Sequence, residues 1–173
     1  MTRVLLDANV LFSEPLRRLL LAAAAAGLLA PHWTLRILDE ACGSLVKTGR
    51  LEGSAARALH EALQREHPAA LITGYEPLIP QMANHPGDRH VAAAAVHAGI
   101  PLILTKNLHD FRKLPEGVRA ISPDVFLLEL LATQPEATGA VLAAEAALYG
   151  GQVPMAAELR KIVPRFGKRL LVG

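Results

Sequence analysis

Unbroken apolar runs, rather than alternating ones, mark the strands of this chain. Val4-Leu5-Leu6 reads as a short strand buried on both faces, as in a parallel sheet, and Pro101–Leu104 repeats the pattern; Val118–Ile121, with Arg119 inside it, is a further short strand. Ala70–Thr73 is a weaker candidate, second in chain order. Between these runs the apolar residues recur at helical spacing. Ser13-Glu14-Pro15 offers a cap, a first-turn acid and a tolerated proline, so a helix should start there, run to Ala26 and stop at Gly27. Pro31-His32-Trp33 reads as a connection. Thr34 then caps a second helix that ends near Lys47–Gly49, with an apolar stripe of Leu35, Leu38, Ala41, Cys42 and Leu45. Ser54–His67 is a third helix, closed by Pro68, and a single turn is expected near Ile79–Ala83. Arg89–Ala98 forms a small-residue helix, Ser122 caps one through Leu131, and Glu136–Tyr149 and Met155–Val163 supply two more. Alternating strands and helices predict an α/β fold: a three-layer α/β/α sandwich around a parallel sheet of four or five strands. Residues 1–134 form its body, and residues 135–173 an appended helical element of the same domain.

The polar residues that interrupt this pattern sit where such sheets collect chemistry, just past the carboxyl ends of the strands. Asp7 and Asn9 follow the first strand, and Thr105, Lys106, Asn107 and Asp110 follow Leu102–Leu104. Asp7 and Asn9 have a plainer reading as residues that shape a turn. Asp88 stands at a helix start, where it can act as a cap, yet it is in phase with Val91, Ala92 and Ala95 on the packable face. Asp39 and Glu40 both flank the stripe of the second helix, and periodicity does not choose between them. Asp124 reads as a first-turn acid that complements the helix dipole.

Composition narrows the chemistry. Hydrophobic residues make up 51% of the 173 and charged residues 20%, as in an ordinary globular domain. The longest uncharged apolar run, Leu19–Ala30, is too short for a bilayer, which needs about 20 residues. With no signal-peptide pattern at the start, a cytoplasmic protein without membrane contact is expected. A single cysteine, Cys42, excludes an intramolecular disulfide and a cysteine zinc cage. The seven histidines show no close pairing; His90 and His97 share a helix face but stand roughly 10 Å apart. Surface or packing roles are expected of them. Aromatic content of 4% argues against extensive base stacking. Residues 1–134 balance 13 basic against 13 acidic side chains, whereas Arg160, Lys161, Arg165, Lys168 and Arg169 follow one another without an acid between them. That basic end is either solvated or meets phosphates or an acidic partner.

Asp7, one acid of the second helix (Glu40 or Asp39), Asp88 and Asp110 can therefore converge at one sheet edge. Clustered acids raise one another's pKa unless a cation neutralises them, and an all-oxygen set suits Mg²⁺ or Mn²⁺. Such an ion assists phosphodiester hydrolysis. The blocks Leu5-Leu6-Asp7-Ala8-Asn9-Val10-Leu11, Leu38-Asp39-Glu40, Asp88-Arg89-His90-Val91-Ala92-Ala93-Ala94 and Leu104-Thr105-Lys106-Asn107-Leu108-His109-Asp110-Phe111 resemble the PIN-domain ribonucleases. Within that family the chain is most similar to the prokaryotic VapC-like toxins of toxin–antitoxin pairs.

The resemblance covers residues 3–131 and implies a PIN-like fold. It matches Asp7, Glu40, Asp88 and Asp110 to the family's acidic quartet, which holds Mg²⁺ or Mn²⁺. Glu40 is aligned over Asp39 because Leu45 follows at the family's spacing. Asn9, Thr105 and Asn107 match supporting polar positions. The implied reaction is endonucleolytic RNA cleavage by a metal-activated water, with a small antitoxin protein as partner and a homodimer as the assembly. Lys106, Arg112, Lys113 or the basic end would bind phosphates. A PIN domain that binds RNA or protein without cutting is the alternative. A haloacid-dehalogenase-like phosphatase is remote, since Asn9 stands where its second acid would be, and so is a phospho-receiver domain. Asp7→Asn and Asp88→Asn are both expected to abolish cleavage and to leave the fold intact or more stable.

Overall fold

Val4, Leu5 and Leu6 have no solvent exposure, because the strand that carries them has neighbours on both edges. In the computed structural model, which describes residues 1–172, β1 (Thr2–Leu6), β2 (Leu29–His32), β3 (Leu102–Leu104) and β4 (Arg119–Ile121) form one sheet. All three pairings are parallel, in the order β2-β1-β3-β4. Helices flank the sheet, which gives the expected PIN-like α/β architecture.

The second strand is not where the sequence pattern put it. Ala70–Thr73 contributes only a single bridge, Trp33 to Leu71, because Pro68–Ala70 is wound into a 3₁₀ turn. The strand is instead Leu29–His32, where the pattern predicts the end of an apolar run followed by a connection. Its proline hid it. Pro31 is accepted because β2 lies at the sheet edge, where a missing N–H need not break a ladder.

Two helices are not predicted by the pattern, the one-turn Ala8–Leu11 and Pro164–Val172, which opens on a proline tolerated in a first turn; the others follow the predicted order. After the one-turn α1 (Ala8–Leu11) come α2 (Glu14–Ala25), α3 (Leu35–Lys47) and α4 (Gly53–Glu66). Gly27, at φ +74°, ends the first long helix as expected. Ser13 makes no capping bond, and its place at α2 is purely conformational. On α3 the buried face is Ile37, Leu38, Ala41, Cys42 and Leu45; Leu35 is exposed at the first turn, where no element covers it. The expected turn near Ile79–Ala83 is a 3₁₀ helix over Glu76–Gln81.

α5 (Arg89–His97) is buried from His90 through Ala95, so its alanines admit it tightly against the core. α6 (Pro123–Thr133), α7 (Pro135–Leu148), α8 (Gln152–Arg160) and α9 (Pro164–Val172) complete the chain, and Gly173 lies outside the described residues. α7 packs on α2, whose Leu16, Leu19 and Leu20 are buried, with Arg18 reaching Glu145 at 3.6 Å. Those leucines are thus buried within the chain itself. Asp124 does more than complement a dipole: it accepts from the Arg165 and Phe166 amides at 3.2 and 2.8 Å and ties α6 to the start of α9. Phe166, Met155 and Leu159 are buried in the same core as β1. No described helix is long and apolar enough to cross a membrane, and the apolar pair α6 and α7 meets at 120°.

Candidate active site

The register of β1 and β3 brings the first two site segments together. Leu6 pairs with Leu104, and the Asp7 amide donates to Leu104 O at 3.0 Å, so Asp7 and Thr105 leave adjacent strands side by side. Asp7 caps α1 and is only 4% exposed. Its Oδ1 accepts from the Ala8 amide at 2.7 Å, and its Oδ2 accepts from the Thr105 hydroxyl and from Asn9 Nδ2, both at 2.7 Å. The turn-shaping role and the site role therefore coincide in one side chain. Asn9 Nδ2 also reaches Thr105 Oγ1 at 3.1 Å, and Asn9 Oδ1 accepts the Lys106 amide at 3.0 Å. The Asn107 amide donates to Thr105 Oγ1 at 3.0 Å, and its side-chain amide donates to Asp110 Oδ2. Each of the three predicted supporting residues thus touches an acid.

Asp7, Glu40 and Asp88 line one cavity of about 370 Å³, together with Ala8, Asn9, Phe12, Ser44 and Thr48. Asp110 is outside this lining but faces Asp88. The tertiary fold also separates the two acids of α3. Glu40 turns toward Asp7, whereas Asp39 bonds His60 at 3.0 Å and lines another groove, between α3 and α4. Glu40 accepts from Arg36 Nε at 3.1 Å. The buried His90 brings Nε2 within 3.2 Å of the same carboxylate, off the line of a good hydrogen bond.

The acids differ in their electrostatics. Burial pushes the Asp7 carboxyl above its ordinary range, against the lowering hydrogen bonds of Thr105 and Ala8, and Glu40 adds repulsion. Asp88 is raised by burial, then by Asp7 and Asp110. Burial also acts to raise Glu40, but the contacts with His90 and Arg36 outweigh it and hold that carboxyl low. The His109 contact lowers Asp110, with Asn107 helping. Two acids held above their range beside two held below it form a site that a cation would relieve.

The sequence reading missed three residues. His85, expected in a surface or packing role, lies close enough to Asp88 and Asp110 for one ligand atom of each to fall within 4.8 Å of the others. The signal was its spacing from Asp88: in the 3₁₀ turn Pro86–Asp88, positions three apart eclipse. Arg50 stacks over Phe12, 4.7 Å from the ring centroid, and its charge helps burial to lower the Lys106 ammonium. A basic edge therefore adjoins the acidic cavity. The buried His90 carried no signal beyond its helix phase. Of the phosphate candidates, Arg112 and Lys113 are exposed, and Lys106 is exposed as a residue while its ammonium is partly covered.

Fold and site together define the PIN-like class of α/β protein: a parallel sheet whose strand ends gather acids. No protein-family model matches the chain, and no solved structure matches it. A Mycobacterium tuberculosis protein named "Putative ribonuclease VapC50" is 38% identical over 113 residues, covering 55% of this chain and 67% of the relative. The chain belongs to the VapC-like PIN-domain ribonuclease family.

Proposed function

We propose that this protein is a divalent-metal-dependent endoribonuclease, the toxin member of a toxin–antitoxin pair, with Asp7, Glu40, Asp88 and Asp110 as its site. The observation that carries the reading is the convergence of Asp7, Glu40 and Asp88 on one cavity, with Asp110 beside Asp88. The donor set fits a hard cation: carboxylate oxygens predominate, and the mutual repulsion at Asp88 is what a positive charge removes. Asp88 and Asp110 would hold the ion, with Asp7 and Glu40 as direct or water-bridged partners. When bound, Mg²⁺ or Mn²⁺ supplies charge that polarises water and stabilises a phosphoryl oxygen.

The chain's own groups do the rest. Asn9, Thr105 and Asn107 fix the orientation of Asp7 and Asp110, so the site is held in place before substrate arrives. A carboxylate of the cavity takes the proton of the attacking water. The water oxygen bonds to phosphorus as one ester P–O bond breaks, and the leaving oxygen takes up a proton, from that carboxylic acid or from solvent, to give a phosphate end and a hydroxyl end. Lys106, Arg112 and Lys113, with Arg50, bind backbone phosphates and bring the RNA to the acids.

Incubation of purified protein with RNA tests the proposal. Wild type should cleave with Mn²⁺ or Mg²⁺ and stop in excess EDTA, and Asp88→Asn should lose at least about a hundredfold in rate. Cleavage that persists in EDTA, or in Asp88→Asn, would overturn it. RNA binding without any cleavage would leave a binding module. The VapC likeness supports an antitoxin partner, and a homodimer is the assembly that the sequence resemblance implies. Growth arrest on expression, relieved by the protein of a neighbouring gene, tests the first, and sedimentation at a monomer's mass at micromolar concentration would refute the second.

A further inference from the structure

We infer that His85 is itself a ligand of the site's cation, through Nδ1, and that it gives the site a preference for first-row transition ions such as Mn²⁺ over Mg²⁺. This rests on the metal site proposed above. The group whose ligand atoms lie close enough together for one ion, among the described residues, is not all carboxylate but His85, Asp88 and Asp110. Nδ1 lies 3.7 Å from Asp88 Oδ2. The backbone fixes the group, since the His85 amide donates to Asp110 O at 3.0 Å and the Asp88 amide donates to His85 O at 2.9 Å. One histidine is thus tied by main-chain bonds to both acids it faces.

The ring is in the right state for ligation. The Gly87 amide donates to Nδ1 at 3.2 Å, so that nitrogen carries a lone pair and the ring proton sits on Nε2. The donor is exposed, so an ion that takes the lone pair releases the amide to water. Gly87 also keeps that flank open, because a Cβ there would stand 3.3 Å from Nδ1. Imidazole is a borderline ligand: it adds affinity for transition ions and little for Mg²⁺, which demands oxygen. His109 lies 3.2 Å from Asp110 through Nδ1 but falls outside the ligand group, and it serves as the control.

Pulsed electron paramagnetic resonance of the full chain loaded with Mn²⁺ reads the bond directly, through coupling of the ion to nitrogen-14. Wild type should show nitrogen modulation, His109→Ala should keep it, and His85→Ala should lose it. The Mn²⁺ affinity, read from the free-ion signal, should fall at least tenfold in His85→Ala, the scale on which even outer-shell partners act. Mg²⁺ affinity, read by competition, should change less than threefold. Bound Mn²⁺ without nitrogen modulation in wild type, or modulation that survives in His85→Ala, would overturn the inference while the acidic site stands. Failure of wild type to bind Mn²⁺ more tightly than Asp88→Asn would overturn both.

Discussion

Asp7→Asn and Asp88→Asn both delete one charge from the same cavity, yet the structure separates their effects on stability. Asp7 accepts three hydrogen bonds, from the Ala8 amide, the Thr105 hydroxyl and Asn9 Nδ2. Asparagine keeps one acceptor oxygen and replaces the other with a donor. Turned one way, its amide meets the Ala8 N–H; turned the other, it meets Asn9 Nδ2. Thr105 cannot absorb the change by reversing its hydroxyl, because its oxygen already accepts from Asn9 at 3.1 Å and from the Asn107 amide at 3.0 Å. A buried donor left without a partner costs about 1–3 kcal/mol. Removal of a charge that burial disfavours offsets part of this.

Asp88 has no such bonds to lose. Its side chain caps nothing, and its carboxyl is raised by burial and by Asp7 and Asp110. Without a metal, Asp88→Asn should therefore be at least as stable as wild type, and Asp7→Asn should fall below Asp88→Asn by about 1–3 kcal/mol. For a chain of this size that separates their melting temperatures by roughly 2–12 °C. The pH dependence follows from the direction of the shift. A carboxyl raised in the folded state costs stability once ionised, so the advantage of Asp88→Asn over wild type is present at pH 7. It disappears as pH falls below about 4, where the wild-type group is protonated in both states. Urea unfolding in EDTA at both pH values measures these quantities. Equal stability of the two variants at pH 7 would refute the three-donor account of Asp7. An Asp88→Asn advantage that persists unchanged at pH 4 would refute the repulsion account of Asp88.

Two further outcomes concern the cation and the C-terminal helices. Mn²⁺ at a hundred times its dissociation constant should stabilise wild type by about 2.7 kcal/mol, an effect reversed by EDTA and blunted in Asp88→Asn; a melting temperature indifferent to Mn²⁺ would count against a metal site. Gly167→Ala places a Cβ 2.5 Å from the Arg160 backbone and should cost about 1–3 kcal/mol by forcing α8 and α9 apart. An unchanged thermal melt would show that α8 and α9 separate freely.

The parts of the site legible in the sequence are those where a buried run ends in a polar residue. Val4–Leu6 of β1 and the whole of β3 are apolar and buried, so Asp7 and Thr105 stand out as the first residues past the sheet. Asp88 was legible because helix phase aimed it inward. What stayed hidden was set by tertiary contact. Asp39 and Glu40 are equivalent by periodicity, and only the neighbours, His60 on one side and His90 on the other, distinguish them. β2 was masked by a proline that is tolerated only because the strand lies at an edge, a fact of topology and not of local sequence. His85 sits in a proline-rich connection with no period to read, and its three-residue spacing from Asp88 acquires meaning only once a 3₁₀ turn forms there.

The site therefore has two halves of different construction. Asp7 is fixed by strand ends and three side-chain donors in a buried network, so its position follows from the register of β1 and β3. Asp88, Asp110 and His85 hang on turns that bond to one another through the main chain, at a more exposed edge. A change of side chain at His85 leaves the sheet untouched, because the main-chain bonds of that residue run to Asp110 and Asp88 and to no strand. A histidine can enter the second half through a single position beside Gly87. Any exchange at Asp7 must answer for three donors at once. The division of labour explains why the sheet-end acid was the most legible residue in the sequence and the turn histidine the least.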